Sequence, residues 1–265
     1  MQMMFYPGLA AGNETIGETM KYKELFYPEA RFGGFTDIDG TIAFFNRINA
    51  LLDPSFTVLD VGCGRGSYGN DPIQLRRKLR ILKGKVSKVV GIDVDHAAQE
   101  NPFIDQFHQI REDHWPIESD SIDMILCDHV LEHITNPNQF FSEAHRTLQD
   151  GGLFCIRTPN RWSYVAIAAT LIPNQYHSKV TSVVQEGRKE EDVFPTVYRC
   201  NSIRRIKNMM KKHDFECVVY GYEAEPSYLS FSKSSYWLGV LHQRFAPRIL
   251  KPVIFAFGKL KKNMD

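Results

Sequence analysis

Val58-Leu59-Asp60-Val61-Gly62-Cys63-Gly64-Arg65-Gly66 is the stretch from which the rest of the chain can be read. The run Phe56–Val61 is short and apolar, carries an acid near its end, and passes into three alternating glycines. That pattern predicts a buried strand opening into a tight turn. Glycines suit such a turn because a ligand can approach bare backbone where a Cβ would collide. Further on, Lys88–Asp93 (KVVGID) predicts a second strand ending in Gly91-Ile92-Asp93. A carboxylate at that strand end can accept two hydrogen bonds from a ribose diol. Glycine turn and downstream acid together specify a nucleoside-bearing cofactor.

Outward from this stretch, strands and helices alternate. Ile42–Leu52 has helical apolar spacing and stops at Asp53-Pro54, and Asn70-Asp71-Pro72 supplies an N-cap and N1 proline for a helix to about Leu82. Phe107–Ile110, Ile122–Cys127 and Leu153–Arg157 predict strands three to five, with a helix over Asn138–Leu148 that Asp150-Gly151-Gly152 should end. Helices at Arg161–Ile172, Asn201–His213 and Ser234–Phe245 and strands at Phe215–Tyr220 and Val253–Phe257 complete the reading. The alternation predicts an α/β fold, a doubly wound Rossmann-like sheet with helices on both faces and its ligand outside the carboxyl ends of the strands. Residues 1–55 read as a leader and helix that could lid a pocket. Residues 56–265 read as the main domain, with a substrate-side insertion at about 161–200.

Composition narrows the function. The 265 residues are 43% hydrophobic and 24% charged, with 32 Lys+Arg against 31 Asp+Glu, so a disordered or coiled-coil chain is excluded. Neutrality disfavours nucleic acid as a partner, and the basic clusters Arg76–Lys88, Arg199–Lys212 and Arg244–Lys262 read as solvated helix faces. Cys63, Cys127, Cys155, Cys200 and Cys217 form no Cys-x-x-Cys pair and read as reduced core thiols of a cytoplasmic protein. The start lacks a signal-peptide pattern, and no apolar run is long enough for stable membrane insertion.

Gly64-Arg65-Gly66-Ser67-Tyr68-Gly69 also satisfies the dinucleotide pattern G-x-G-x-x-G. A pyrophosphate site, however, needs a helix starting at the loop, whereas the helix signal here starts only near Asp71. Asp60 would repel a pyrophosphate but suits an ammonium group. With these residues in view, VLDVGCGRG resembles motif I of class I S-adenosylmethionine-dependent methyltransferases, and GIDVD resembles their strand-two motif. PIESDSID (Pro116–Asp123), HVLEHI (His129–Ile134), RTLQDGG (Arg146–Gly152) and IRTPN (Ile156–Asn160) follow in the family's order. The chain is similar to the type 11 branch, which acts on small molecules and lipid intermediates.

The resemblance implies strand order 3-2-1-4-5-7-6 with an antiparallel final pair, S-adenosyl-L-methionine as cofactor, and a small-molecule, lipid-intermediate or sugar acceptor, methylated on a hydroxyl oxygen or on another nucleophile. It implies a cofactor-binding set of Asp60, Gly62, Cys63, Gly64, Gly66, Asp93, Val94, Glu112, Asp113 and Asp128. In it Asp60 meets the ammonium, Asp93 the ribose, Glu112 or Asp113 the adenine, and Asp128 faces the methyl end. Only two residues separate Asp113 from Pro116, a departure from the family spacing.

For the chemistry, Asp128, His129 and His133 are the catalytic candidates. With Glu132 they can be read as a base (His129 foremost), as a metal site, or as braces for the turn after strand four, because positions i, i+3 and i+4 share a helix face. His177 and Tyr198 are pocket candidates on the insertion, where the charge run Arg188–Asp192 reads as a solvated face. Tyr164, Tyr176, Tyr228 and Trp237 could line a partly apolar acceptor pocket. Asp37-Ile38-Asp39-Gly40-Thr41 matches a phosphatase D-x-D-G-T motif, but no apolar strand precedes it, so Asp39 reads as a helix cap. The rival functions are an NAD(P)-dependent oxidoreductase and a non-catalytic cofactor-binding module.

Overall fold

The computed structural model describes residues 22–111, 114–171 and 195–262. Strands β1 (Thr57–Val61), β2 (Lys88–Asp93), β3 (Gln106–Gln109), β4 (Ile122–Asp128), β5 (Leu148–Pro159), β6 (Phe215–Tyr222) and β7 (Val253–Leu260) form one sheet. Its order is β3-β2-β1-β4-β5-β7-β6, and β7 runs antiparallel to both its neighbours. This is the topology expected from the motif order. The α-helices are α1 (Gly40–Leu51), α2 (Gln74–Arg80), α3 (Pro137–Thr147), α4 (Tyr164–Leu171), α5 (Ile203–Lys212) and α6 (Lys233–Phe245).

Side chains alternate between faces along a strand, and the two faces carry separate cores. Leu59, Val61, Ile125, Cys127, Phe154 and Ile156 face Phe140 and Phe141 of α3 and Ile206 and Met210 of α5. Val58, Met124, Leu126 and Cys155 face Phe44, Phe45 and Ile48 of α1. A fully buried phenylalanine such as Phe141 is worth about 3–5 kcal/mol against alanine. Helix α1 is thus part of the sheet's own core. Preceding it, Tyr22, Phe26 and Tyr27 pack around the buried ring of Tyr236 in α6.

Local chemistry sets the helix ends. Asp39 caps α1, accepting from the Thr41 and Ile42 N–H groups, which accounts for the D-x-D-G-T match. Asn136 with Pro137 starts α3, and Ser232 with Ser235 forms a capping box on α6. Two boundaries differ from the expectation. Asn70 ends a 3-10 turn (Ser67–Asn70) instead of capping a helix; Asp71 Oδ1 then accepts from Ile73 N–H, and α2 starts only at Gln74. Helix α3 does not end in a loop at Gly151-Gly152, because Leu148 already begins β5. The basic run beginning at Arg76 is only partly solvated: Arg76 pairs with the buried Asp39, and Arg80 is buried. Among the described residues no helix is long and apolar enough to cross a membrane.

Candidate active site

Strand register gathers the acids before any side chain is considered. Val61 of β1 lies opposite Ile92 of β2 and Cys127 of β4. The next residues are Gly62, Asp93 and Asp128, so the glycine turn leaves the sheet between two carboxylates. The period of two puts Asp60, Asp128 and Arg157 on the same face, toward α1.

The turn is pinned from both sides. Gly62 and Cys63 N–H groups reach Ile92 O at 2.7 and 3.3 Å. Gly64 N–H donates to Asp93 Oδ2 at 2.9 Å, and Asp95 N–H donates to Asp93 Oδ1 at 2.9 Å. The Asn101 side-chain amide donates to Cys63 O and Gly64 O at 2.9 and 3.1 Å. Gly66 has φ 74°, and a Cβ there would stand 2.6 Å from Asn101 Oδ1. The result is a left-handed glycine turn (Gly62, Gly64 and Gly66 all at positive φ) whose backbone is bare of side chains. Asn101 has no motif in the sequence to mark it. Only a single 3-10 turn (Ser67–Asn70) starts at Gly66, and α2 begins only at Gln74, so the α-helix N-terminus of a dinucleotide pyrophosphate site does not follow the glycine turn. Val94 is exposed beside Asp93. Glu112 and Asp113 lie outside the described residues, as do Tyr176, His177 and the Arg188–Asp192 run.

Two buried acids on this edge are opposites. Asp60 is 4% exposed, its Oδ1 has no hydrogen-bond partner, and burial together with the nearby Asp128 charge pushes its carboxyl up to about 7. An orphaned carboxylate oxygen beside a glycine cradle fits the ammonium of an amino-acid moiety. Burial also opposes ionisation of Asp128, yet the Arg157 guanidinium overcomes it and holds that carboxyl down to about 2. Arg157 grips both oxygens (Nε to Oδ1 2.5 Å, Nη2 to Oδ2 2.7 Å), and Arg80 Nη2 reaches Oδ2 at 3.3 Å. Phe44 and Phe45 lie under Arg157, and Phe45 and Tyr68 under Arg80. Asp128 is therefore committed to two guanidiniums and is no free base. The strand pairing of Asp128 with Arg157 is what brings them together.

Beyond Asp128 the chain makes a single 3-10 turn, Leu131–His133, so His129, Glu132 and His133 do not share a helix face. His129 instead has φ 59°, and its Nδ1 stands 3.4 Å from Oε1 of Glu132. Glu132 is fully buried; its Oε2 accepts from Thr158 Oγ1 at 3.0 Å, and Asn201 Nδ2 donates to that same hydroxyl at 2.6 Å. His133 turns away, its Nδ1 3.1 Å from Pro195 O, and the Glu132 carbonyl accepts from Val197 and Tyr198 N–H. His133 thus ties down the returning insertion. Among the described residues no three His, Cys, Asp or Glu side chains converge as a metal ion requires. All five cysteines are free, and burial pushes the Cys63 and Cys127 thiols up, away from reactivity.

At the far end of the same sheet edge, Glu223, just past β6, accepts from His242 Nδ1 at 2.9 Å, while Tyr164 packs edge-on against His242 with ring centroids 4.9 Å apart. Sequence reasoning missed this pair, which joins residues 19 apart, the end of β6 and the C-terminal half of α6. Trp237 lies on the outer surface of α6.

A family model described as a methyltransferase domain matches residues 37–220. The chain is 31% identical over 127 residues to a Mycolicibacterium smegmatis protein named "Probable S-adenosylmethionine-dependent methyltransferase/", covering 46% of this chain and 45% of that one. It is 31% identical over 136 residues to the ubiquinone biosynthesis O-methyltransferase of Bartonella tribocorum, covering 48% and 53%. The chain thus spans about half the length of the curated relatives it matches. A solved S-adenosylmethionine-dependent methyltransferase from Archaeoglobus fulgidus superposes with a TM-score of 0.52 at 15% identity, over 90% of this chain and 99% of that one, which supports the fold. Most of the chain falls within the matched model, and the strand order agrees with it: the chain belongs to the class I S-adenosylmethionine-dependent methyltransferases.

Proposed function

We propose that the chain transfers the methyl group to a hydroxyl of a partly apolar small molecule, with His129 as general base and Glu132 as the residue that orients it. The observation carrying this reading is the His129–Glu132 pair at the carboxyl end of β4, whose facing atoms stand 3.4 Å apart and are both buried without a hydrogen-bond partner. The O-methyltransferase among the relatives supports oxygen as the accepting atom.

Asp60 would receive the ammonium of the cofactor, the Gly62–Gly66 backbone its methionine part, and Asp93 its ribose. S-adenosylmethionine supplies a methyl group already activated on a sulfonium. The protein's remaining task is alignment, worth about 7–11 kcal/mol when geometry is right, and removal of the hydroxyl proton. Glu132, facing Nδ1 at 3.4 Å, would favour a proton on that nitrogen and leave Nε2, 3.9 Å from Asp128 Oδ1, as the acceptor. Tyr198, held through the Glu132 carbonyl, and Tyr164 supply aromatic surface at the same edge.

A panel of phenols, alcohols and amines scored by mass gain of one methyl group tests the reading. Phenols or alcohols should be methylated, and His129→Gln should lower kcat about 10²–10⁴-fold while S-adenosylhomocysteine affinity is unchanged. Exclusive amine methylation, or an unaffected His129→Gln, would refute it.

A further inference from the structure

Helix α6 has two faces. Tyr236, Gly239 and Val240 turn inward, and Gly239 packs so closely on Pro226 that a Cβ would come within 2.4 Å. The opposite arc, at helical spacing, carries Lys233, Trp237, Leu238, Arg244 and Phe245. Trp237, Leu238 and Phe245 are 49%, 58% and 78% exposed, and Phe231 before the helix and Ile249 after it are 76% and 56% exposed. Five large apolar side chains this exposed along one 19-residue segment are what a surface that meets a partner carries.

The segment that carries this patch has charge of one sign. Between residues 226 and 264 there are seven Lys or Arg and no Asp or Glu, in a chain whose net charge is only +1. Lys251, Lys261 and Lys262 are matched by Glu223, Glu216 and Asp120. Lys233, Arg244 and Arg248 form no ion pair among the described residues. We propose that the outer face of α6, with the following turn Arg248–Leu250, docks on an anionic lipid bilayer surface. Bulky apolar side chains flanked by cations and free of acids are what an interfacial helix needs. A second copy of the chain fits less well, since pairing this face about a two-fold axis would bring the segment's cations together with no acid on that segment to meet them. The helix leaves β6 and enters β7 at the carboxyl edge of the sheet, so docking brings the edge that carries the candidate site to the bilayer.

Flotation of the full chain with phosphatidylcholine vesicles, with and without phosphatidylglycerol, tests this. Binding should require phosphatidylglycerol and weaken with salt. The variants L238D/F245D and K233E/R244E should each lose at least about tenfold in partitioning while S-adenosylhomocysteine affinity and thermal melting are retained. V218D, at an exposed site on β6, should leave partitioning unchanged. No binding, equal binding to neutral vesicles, insensitivity to the α6 variants, or a solution dimer that those variants dissociate would each overturn the proposal.

Discussion

Asp60 should make cofactor binding proton-linked. Its carboxyl sits at about 7 with no cation beside its free oxygen, so near neutral pH a large fraction is protonated and cannot hold an ammonium. Binding an ammonium group requires the ionised form, and the apparent Kd therefore rises as pH falls below the carboxyl's own pKa. Taking about 7 for that pKa, affinity for S-adenosylhomocysteine should be roughly tenfold weaker at about pH 6 than at about pH 8. The proton released per ligand should fall from about 0.9 to about 0.1 over the same range. Calorimetry in buffers of different ionisation enthalpy measures both quantities. Asp60→Asn should abolish the pH slope and weaken binding by about 1.5–3 kcal/mol, the worth of a hydrogen bond to a charged group. Methylthioadenosine, which lacks the ammonium, should bind with no slope in either protein. The sign for stability is the reverse. A carboxyl raised on folding binds protons the unfolded chain releases, so the ligand-free fold loses stability as pH rises toward about 7, by at most about 4 kcal/mol. Asp60→Asn should therefore raise the Tm of the ligand-free protein at about pH 8. A flat binding profile in the parent chain, or a slope that survives in Asp60→Asn, would refute the assignment.

Three further outcomes follow from the same edge. Arg157→Leu leaves Asp128 buried with one of its two guanidiniums and should cost about 3–5 kcal/mol in urea unfolding. Asp128, held low in the fold, contributes about 2–3 kcal/mol that is present above pH 4 or so and lost as pH falls toward about 2; acid titration of Asp128→Asn should lack that loss. Asn101→Ala releases two carbonyls of the glycine turn and should weaken S-adenosylhomocysteine binding about tenfold with kcat at saturation unchanged, as measured by calorimetry and single-turnover kinetics.

Much of this was legible because it is encoded locally. The strand before Gly62, the acid after Ile92 and the cap at Asp39 are each set by a few adjacent residues, and the motif order carried the strand order. What was not legible depends on contacts between distant segments. Arg80 reads as one more cation in a basic run, and only the packing of α2 over Phe45 and Tyr68 turns it inward. Arg157 looks like a strand-end residue until β5 lies beside β4. The helix-face argument for His129, Glu132 and His133 failed because it assumed a helix where the chain makes one 3-10 turn, entered through a left-handed His129. Asn101 and Glu223–His242 carry no local signal, since each acts on a segment 19 or more residues away.

Asp60 and Asp128 sit on the same face of adjacent strands, both buried, and their environments drive them in opposite directions. The difference is where the cations are. Arg157 and Arg80 converge on Asp128, which leaves Asp60 without a direct partner and exposed to its neighbour's charge. If the guanidiniums existed only to stabilise the fold, sharing them between the two acids would be the better arrangement, because an unpaired buried carboxylate is costly. The proposed function accounts for the arrangement: Asp128 is closed off by the protein's own charges, and Asp60 would meet a cation that arrives with the ligand. On the proposed reading Asp128 stands apart from the chemistry, and proton removal would fall to His129 beside it, which no arginine holds.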